Sequence, residues 1–115
     1  KLSVVAAATR VASELQSPIG TIVGYSLRMD SKISSQTRIK FITYRSFLRE
    51  VLLDPRLTCY SVVMFDDAHE MSLEFELALF LLKRIVSERN LNDYPESVHL
   101  KVIVTSATLQ VNALI

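Results

Sequence analysis

The stretch that most constrains this chain is Val62-Val-Met-Phe65, four apolar residues that run straight into two acids, Asp66 and Asp67. A short apolar run bounded by polar residues reads as a buried strand. A strand apolar on both faces reads as a central strand of a parallel sheet. A helical pattern begins near Ser72, and a second apolar run, Leu100 to Thr105, follows it. Strand, helix, strand is a βαβ order, which predicts an α/β domain with a mostly parallel sheet flanked by helices. In open parallel sheets ligands bind at the C-terminal ends of the strands. Asp66 and Asp67 lie at such an end.

The rest of the chain agrees with this order. Leu2 to Gln16 is alanine-rich, with Val4, Ala8, Val11 and Leu15 at helical spacing, and Ser17-Pro18 ends it. It begins abruptly at Lys1 with no capping residue, as a chain cut within a larger domain would. Thr21 to Leu27 has strand composition, Asp30 to Gln36 reads as a loop, and Arg38 to Thr43 reads as a second strand. Thr43 is placed to cap a helix from Tyr44 to Leu53, with Phe47, Leu48, Val51 and Leu52 on its apolar side, and Asp54-Pro55 stops it. Ser72 to Glu88 is the clearest helix. Its rows Leu73, Leu77, Leu81, Ile85 and Phe75, Leu79, Leu82, Val86 form a broad stripe, which predicts packing on both sides.

Composition narrows the class. Half of the 115 residues are apolar, with two glycines, three prolines and no low-complexity segment, so a packed core is available and disorder is not expected. The uncharged, alanine-rich stretch Leu2 to Thr9 is too short to span a bilayer, and no membrane role is expected. The single cysteine, Cys59, excludes an internal disulfide framework and suits a reducing, intracellular setting. Net charge is +1, but it is unevenly placed. Arg28, Lys32, Arg38, Lys40, Arg45 and Arg49 share their segment with one acid, Asp30, whereas acids outnumber bases from Asp54 to Glu96. The basic segment could face a polyanion, or it could be an ordinary solvated surface.

At the strand end the residues suggest phosphate chemistry. Asp66 can hold a magnesium ion beside nucleotide phosphates, and Asp67 can orient or deprotonate an attacking water. His69 lies just beyond and could hydrogen-bond the end of the next strand, where Ser106 and Thr108 offer hydroxyls. Each of these signals is weak alone. An apolar strand followed by two acids is often a loop start or helix cap, and a lone histidine is often a packing residue. A transition-metal site from Asp66, Asp67 and His69 is disfavoured by its few ligands and awkward spacing.

The combination is more specific than its parts. Asp66-Asp-Ala-His69, followed about forty residues later by Ser106-Ala-Thr108, each at the end of an apolar strand, resembles the DEAH-box branch of superfamily 2 RNA helicases. The resemblance spans nearly the whole chain. Leu2 to Glu14 looks like the helix after motif Ia, and Gly24-Tyr-Ser-Leu-Arg28 like the family's Gly-Tyr-x-Ile-Arg strand. Thr37 to Thr43 with Phe47-Leu-Arg-Glu50 looks like the segment of motif Ib, and Asp54-Pro55 through Val63 like the approach to motif II.

The resemblance implies that residues 1–115 are part of the first RecA-like lobe of an ATP-dependent RNA helicase, from after motif Ia through motif III. Asp66 would take the magnesium role and Asp67 the place of the water-activating glutamate. His69 with Ser106, Ala107 and Thr108 would couple ATP turnover to movement along RNA. Thr43 would meet the RNA backbone where motif Ib does, and Arg45 could pair with a phosphate. The implied cofactors are ATP and Mg2+; the implied partners are RNA, a second helicase lobe and the missing N-terminal part of the same protein. The resemblance implies a nuclear location, with a cytoplasmic one as the alternative.

Departures from the pattern carry information too. Neither Gly20 nor Gly24 belongs to a phosphate-binding loop with its lysine, and the resemblance places that loop before Lys1. Without it, and without a second lobe, the chain alone is expected to be inactive. Asp67 stands where the family has glutamate, one methylene longer, and a reach on the order of 1 Å short can cost about 100-fold in rate. Tyr44-Arg45 replaces the usual Asp-Gly, and Met71 an arginine. These changes keep an alternative open: a degenerate lobe that binds RNA or protein without catalysis. A third reading is a Walker-type ATPase unrelated to RNA.

Overall fold

A computed structural model of the chain describes residues 2–66, 72–91, 94–95 and 98–105. The elements are α1 (Leu2–Glu14), β1 (Val23–Ser26), β2 (Ser31–Lys32), β3 (Ile39–Ile42), α2 (Tyr44–Leu53), β4 (Val62–Phe65), α3 (Leu73–Arg89) and β5 (Lys101–Val104). The chain divides into two compact units, residues 1–47 and 48–115.

In the first unit α1 packs on β1 and β3. Ala8 and Ala12, one turn apart, are buried with Val23 and Tyr25, and Val4, Val5, Val11, Ile19, Leu27 and Phe41 pack around them. The small alanines let the helix approach the strands closely. The helix ends two residues earlier than the periodicity predicts. Gln16 turns into the left-handed region at φ 53°, with Gln16 N–H bonded to the Ser13 carbonyl and Ser17 N–H to the Ala12 carbonyl. These two bonds form a Schellman cap, which leaves Leu15 outside the helix and half-exposed.

The strands of this unit run in the order β2-β1-β3. β1 and β3 are parallel, with Val23 opposite Ile39 and Ser26 opposite Ile42. The stretch expected as a loop, Asp30 to Gln36, contains β2, which pairs antiparallel with β1 through Tyr25–Lys32 and Ser26–Ser31. A turn closed by Leu27 N–H on the Asp30 carbonyl at 2.8 Å returns the chain. Tyr25 donates its hydroxyl to Asp30 Oδ2 at 3.0 Å. Burial, together with the hydrogen bond to Asp30 and the charge there, holds the Tyr25 phenol above its usual range. Two residues of ladder carry too little pattern to be read as a strand from sequence.

The second unit is built on β4 and β5, parallel and in register from Val62–Lys101 to Phe65–Val104. Helix α3 is capped by Ser72, whose Oγ accepts from Phe75 N–H at 3.0 Å. Glu74 and Glu76 fill its first turn and Arg89 its last, in the sense the macrodipole favours. Its buried residues are Phe75, Ala78, Leu82 and Ile85. The Phe75 ring meets that of Phe65 with centroids 6.0 Å apart.

Within these 115 residues only part of each expected face is covered. In the predicted stripe on α3, Phe75, Leu82 and Ile85 are buried, whereas Leu73 and Leu77 are exposed. On β4, Phe65 is buried, whereas Val62 and Met64, on the opposite face, are 47% and 58% exposed. Among the described residues β4 pairs only with β5.

Candidate functional site

The approach to the site is set by what holds the start of β4. After α2, Asp54 Oδ2 accepts from Thr58 N–H at 2.8 Å and Thr58 Oγ1 at 2.9 Å, with the Cys59 thiol at 3.8 Å. Partial burial pushes the Asp54 carboxyl up, but the hydrogen bonds from Thr58 and Cys59 together bring it below the ordinary aspartate value. Tyr60 donates its hydroxyl to Glu50. The Arg89 guanidinium, at the end of α3, donates to the Leu57 and Tyr60 carbonyls at 2.9 and 2.8 Å and to the Val98 carbonyl at 3.0 Å. Asn90 exchanges two hydrogen bonds with the Leu100 backbone, at 3.1 and 2.8 Å, as a neighbouring strand would. One helix end therefore anchors the beginnings of both strands, so their C-terminal ends emerge together.

At those ends lie Asp66 and Thr105. The register that pairs Phe65 with Val104 makes Asp66 and Thr105 the next pair along. Thr105 N–H bonds to the Phe65 carbonyl at 2.9 Å, and Thr105 Oγ1 donates to Asp66 Oδ1 at 2.6 Å. A hydroxyl–carboxylate distance this short is that of a charge-assisted bond. Asp66 is exposed, and its carboxylate is a hard oxygen donor suited to a cation such as magnesium. Sequence reasoning identified Asp66 but passed over Thr105. The signal was the apolar run before each residue, which becomes informative only when the two strands are aligned.

The other expected site residues fall in three places. Asp67, His69, Ser106, Ala107 and Thr108 lie outside the described residues. Thr43 caps α2, its Oγ1 accepting from Ser46 N–H at 3.1 Å and its carbonyl from Phe47 N–H at 2.9 Å. Arg45 is exposed on the first turn of α2. Thr43 and Arg45 belong to the first unit, and Asp66 to the second. Among the described residues no three His, Cys, Asp or Glu side chains gather as metal ligands, and no helix is long and apolar enough to cross a membrane.

No family model matches the chain. Individual proteins do. A protein of Caenorhabditis elegans named "Probable ATP-dependent RNA helicase DHX35 homolog" is 42% identical over 109 residues, covering 95% of this chain and 14% of that protein. The human protein named "Probable ATP-dependent RNA helicase DHX40" is 39% identical over 110 residues, covering 96% of this chain and 14% of the relative. Among solved structures, the E. coli DExH-box NTPase HrpB matches with a TM-score of 0.82 at 33% identity, over 96% of this chain and 13% of that one. The chain thus spans about one seventh of the length of these curated relatives.

Proposed function

We propose that residues 1–115 are part of the first RecA-like lobe of a DEAH-box ATP-dependent RNA helicase; the likeness of almost the whole chain to a segment of proteins named ATP-dependent RNA helicases, and of its fold to a DExH-box NTPase, supports this. The full protein would couple hydrolysis of magnesium-bound ATP to RNA remodelling. The observation that carries this reading is the exposed Asp66 carboxylate at the C-terminal end of parallel strand β4, hydrogen-bonded to the residue that directly precedes Ser106-Ala-Thr108.

Asp66 would hold the magnesium ion. When bound, that ion offsets charge on the phosphate oxygens. Asp67 would orient the attacking water, and His69 with Ser106 and Thr108 would relay the state of the nucleotide. Thr43 and Arg45 would meet the RNA backbone at the N-terminal end of α2, where the helix dipole favours an anion. The 115-residue chain alone carries no glycine-rich phosphate loop and would not turn over ATP.

RNA-stimulated ATP hydrolysis by the full-length protein tests this. Activity abolished by Asp66→Ala is the expected result. Absence of activity in the unaltered protein, with RNA binding intact, would replace the enzyme reading with the alternative of a degenerate binding lobe. The substitution favouring that alternative is Asp67. If Asp67→Glu raises turnover strongly while RNA affinity stays the same, the natural protein has decayed.

A further inference from the structure

We infer that Thr105 is the positioning residue for the Asp66 carboxylate, holding it in the orientation that receives the divalent cation. The inference rests on the magnesium reading of Asp66 and adds a residue that the chain's motifs do not include. Three observations carry it. First, Thr105 grips two consecutive residues of β4: its N–H takes the Phe65 carbonyl at 2.9 Å and its hydroxyl takes Asp66 Oδ1 at 2.6 Å. The backbone bond fixes where the hydroxyl starts, so the donor is preorganised. Second, Thr105 is half-buried while Asp66 is exposed, so the hydroxyl ties an exposed carboxylate to the end of the neighbouring strand. Third, the hydroxyl satisfies one of the roughly four lone-pair positions of the carboxylate and leaves the chemistry of a hard oxygen donor in place. Carboxylates that bind metals are themselves hydrogen-bonded, and loss of such a partner typically costs about 10–100-fold in metal affinity or activity.

Thr105 also directly precedes Ser106.

The test uses the full-length protein and a fluorescent, non-hydrolysable ATP analogue, with binding followed as Mg2+ is titrated. Thr105→Val keeps the side-chain shape and removes the hydroxyl; Thr105→Ala is the second variant, Thr105→Ser restores the donor, and Asp66→Ala is the reference. The expected result is a Mg2+ midpoint raised on the order of 10-fold in Thr105→Val and Thr105→Ala, close to the natural value in Thr105→Ser, with Mg2+-free binding unchanged in all three. A midpoint that shifts in Asp66→Ala but in neither hydroxyl-free variant overturns the role of Thr105 and leaves the magnesium reading standing. No shift even in Asp66→Ala overturns both. Equal losses with and without Mg2+, or no recovery in Thr105→Ser, reduce Thr105 to a structural residue and overturn the proposal.

Discussion

At the scale of single residues, Gly24 shows how a motif glycine can be explained by contact. A Cβ built on Gly24 would lie 2.3 Å from the Lys32 carbonyl oxygen and 2.9 Å from the Ile33 side chain. Backbone, not a flexible side-chain tip, stands in the way, so β2 could not pair with β1 as it does. The glycine is needed for close approach, and no unusual φ is involved. Gly24→Ala is expected to destabilise the protein by about 1–3 kcal/mol, the usual cost of overpacking. Thermal denaturation checks the size of the loss, and hydrogen exchange at Tyr25 and Lys32 checks that β2 is the element released. Asp66 and Thr105 make the complementary point. Each is an ordinary residue in sequence, and the 2.6 Å bond between them exists because two strands 39 residues apart in the chain are in register.

At the scale of elements, the Asp54 carboxylate is one of the groups that hold the connection from α2 to β4, beside Glu50 and Arg89. Asp54 collects the Thr58 amide and hydroxyl and the Cys59 thiol, and this sets the turn from which β4 departs. Those bonds favour the ionised form, so the folded carboxyl titrates below the unfolded one. As pH falls the unfolded chain takes up its proton first. The stability Asp54 contributes is therefore fully present above the unfolded value, about pH 4, and is lost as pH drops through the folded value. Asp54→Asn should lower the urea midpoint at neutral pH and approach the natural protein in acid. A difference between the two that is the same at every pH would contradict this account. The helices were the most legible elements. α2 runs over the predicted Tyr44–Leu53 because Thr43 caps it and Asp54-Pro55 stops it, both local signals. Helix α3 begins where Ser72 caps it. Which of its apolar residues are buried was not legible, because residues of one row such as Leu73 and Ile85 are chemically alike, yet Ile85 is buried and Leu73 exposed.

At the scale of the whole molecule, charge and apolar surface are distributed unevenly. The basic run Arg28 to Arg49 covers β2, β3 and the start of α2, and acids dominate after Asp54. If the basic run tracks an RNA backbone, binding of single-stranded RNA by the full-length protein should weaken linearly in log–log form with salt, and Arg45→Gln should reduce the slope by about 0.7, one phosphate contact. An unchanged slope would remove Arg45 from the interface. The order of the helices and of the strands other than β2, the α/β class and the placing of Asp66 at a strand end were determined by the sequence alone, since periodicity, caps and proline stops act over a few neighbouring residues. The Schellman cap at Gln16, the β2 edge, the open face of Val62 and Met64 and the Thr105–Asp66 bond were decided only in three dimensions. Strand partnership and register join residues far apart in the chain, and no local pattern encodes which carbonyl, ring or hydroxyl will arrive from the other strand.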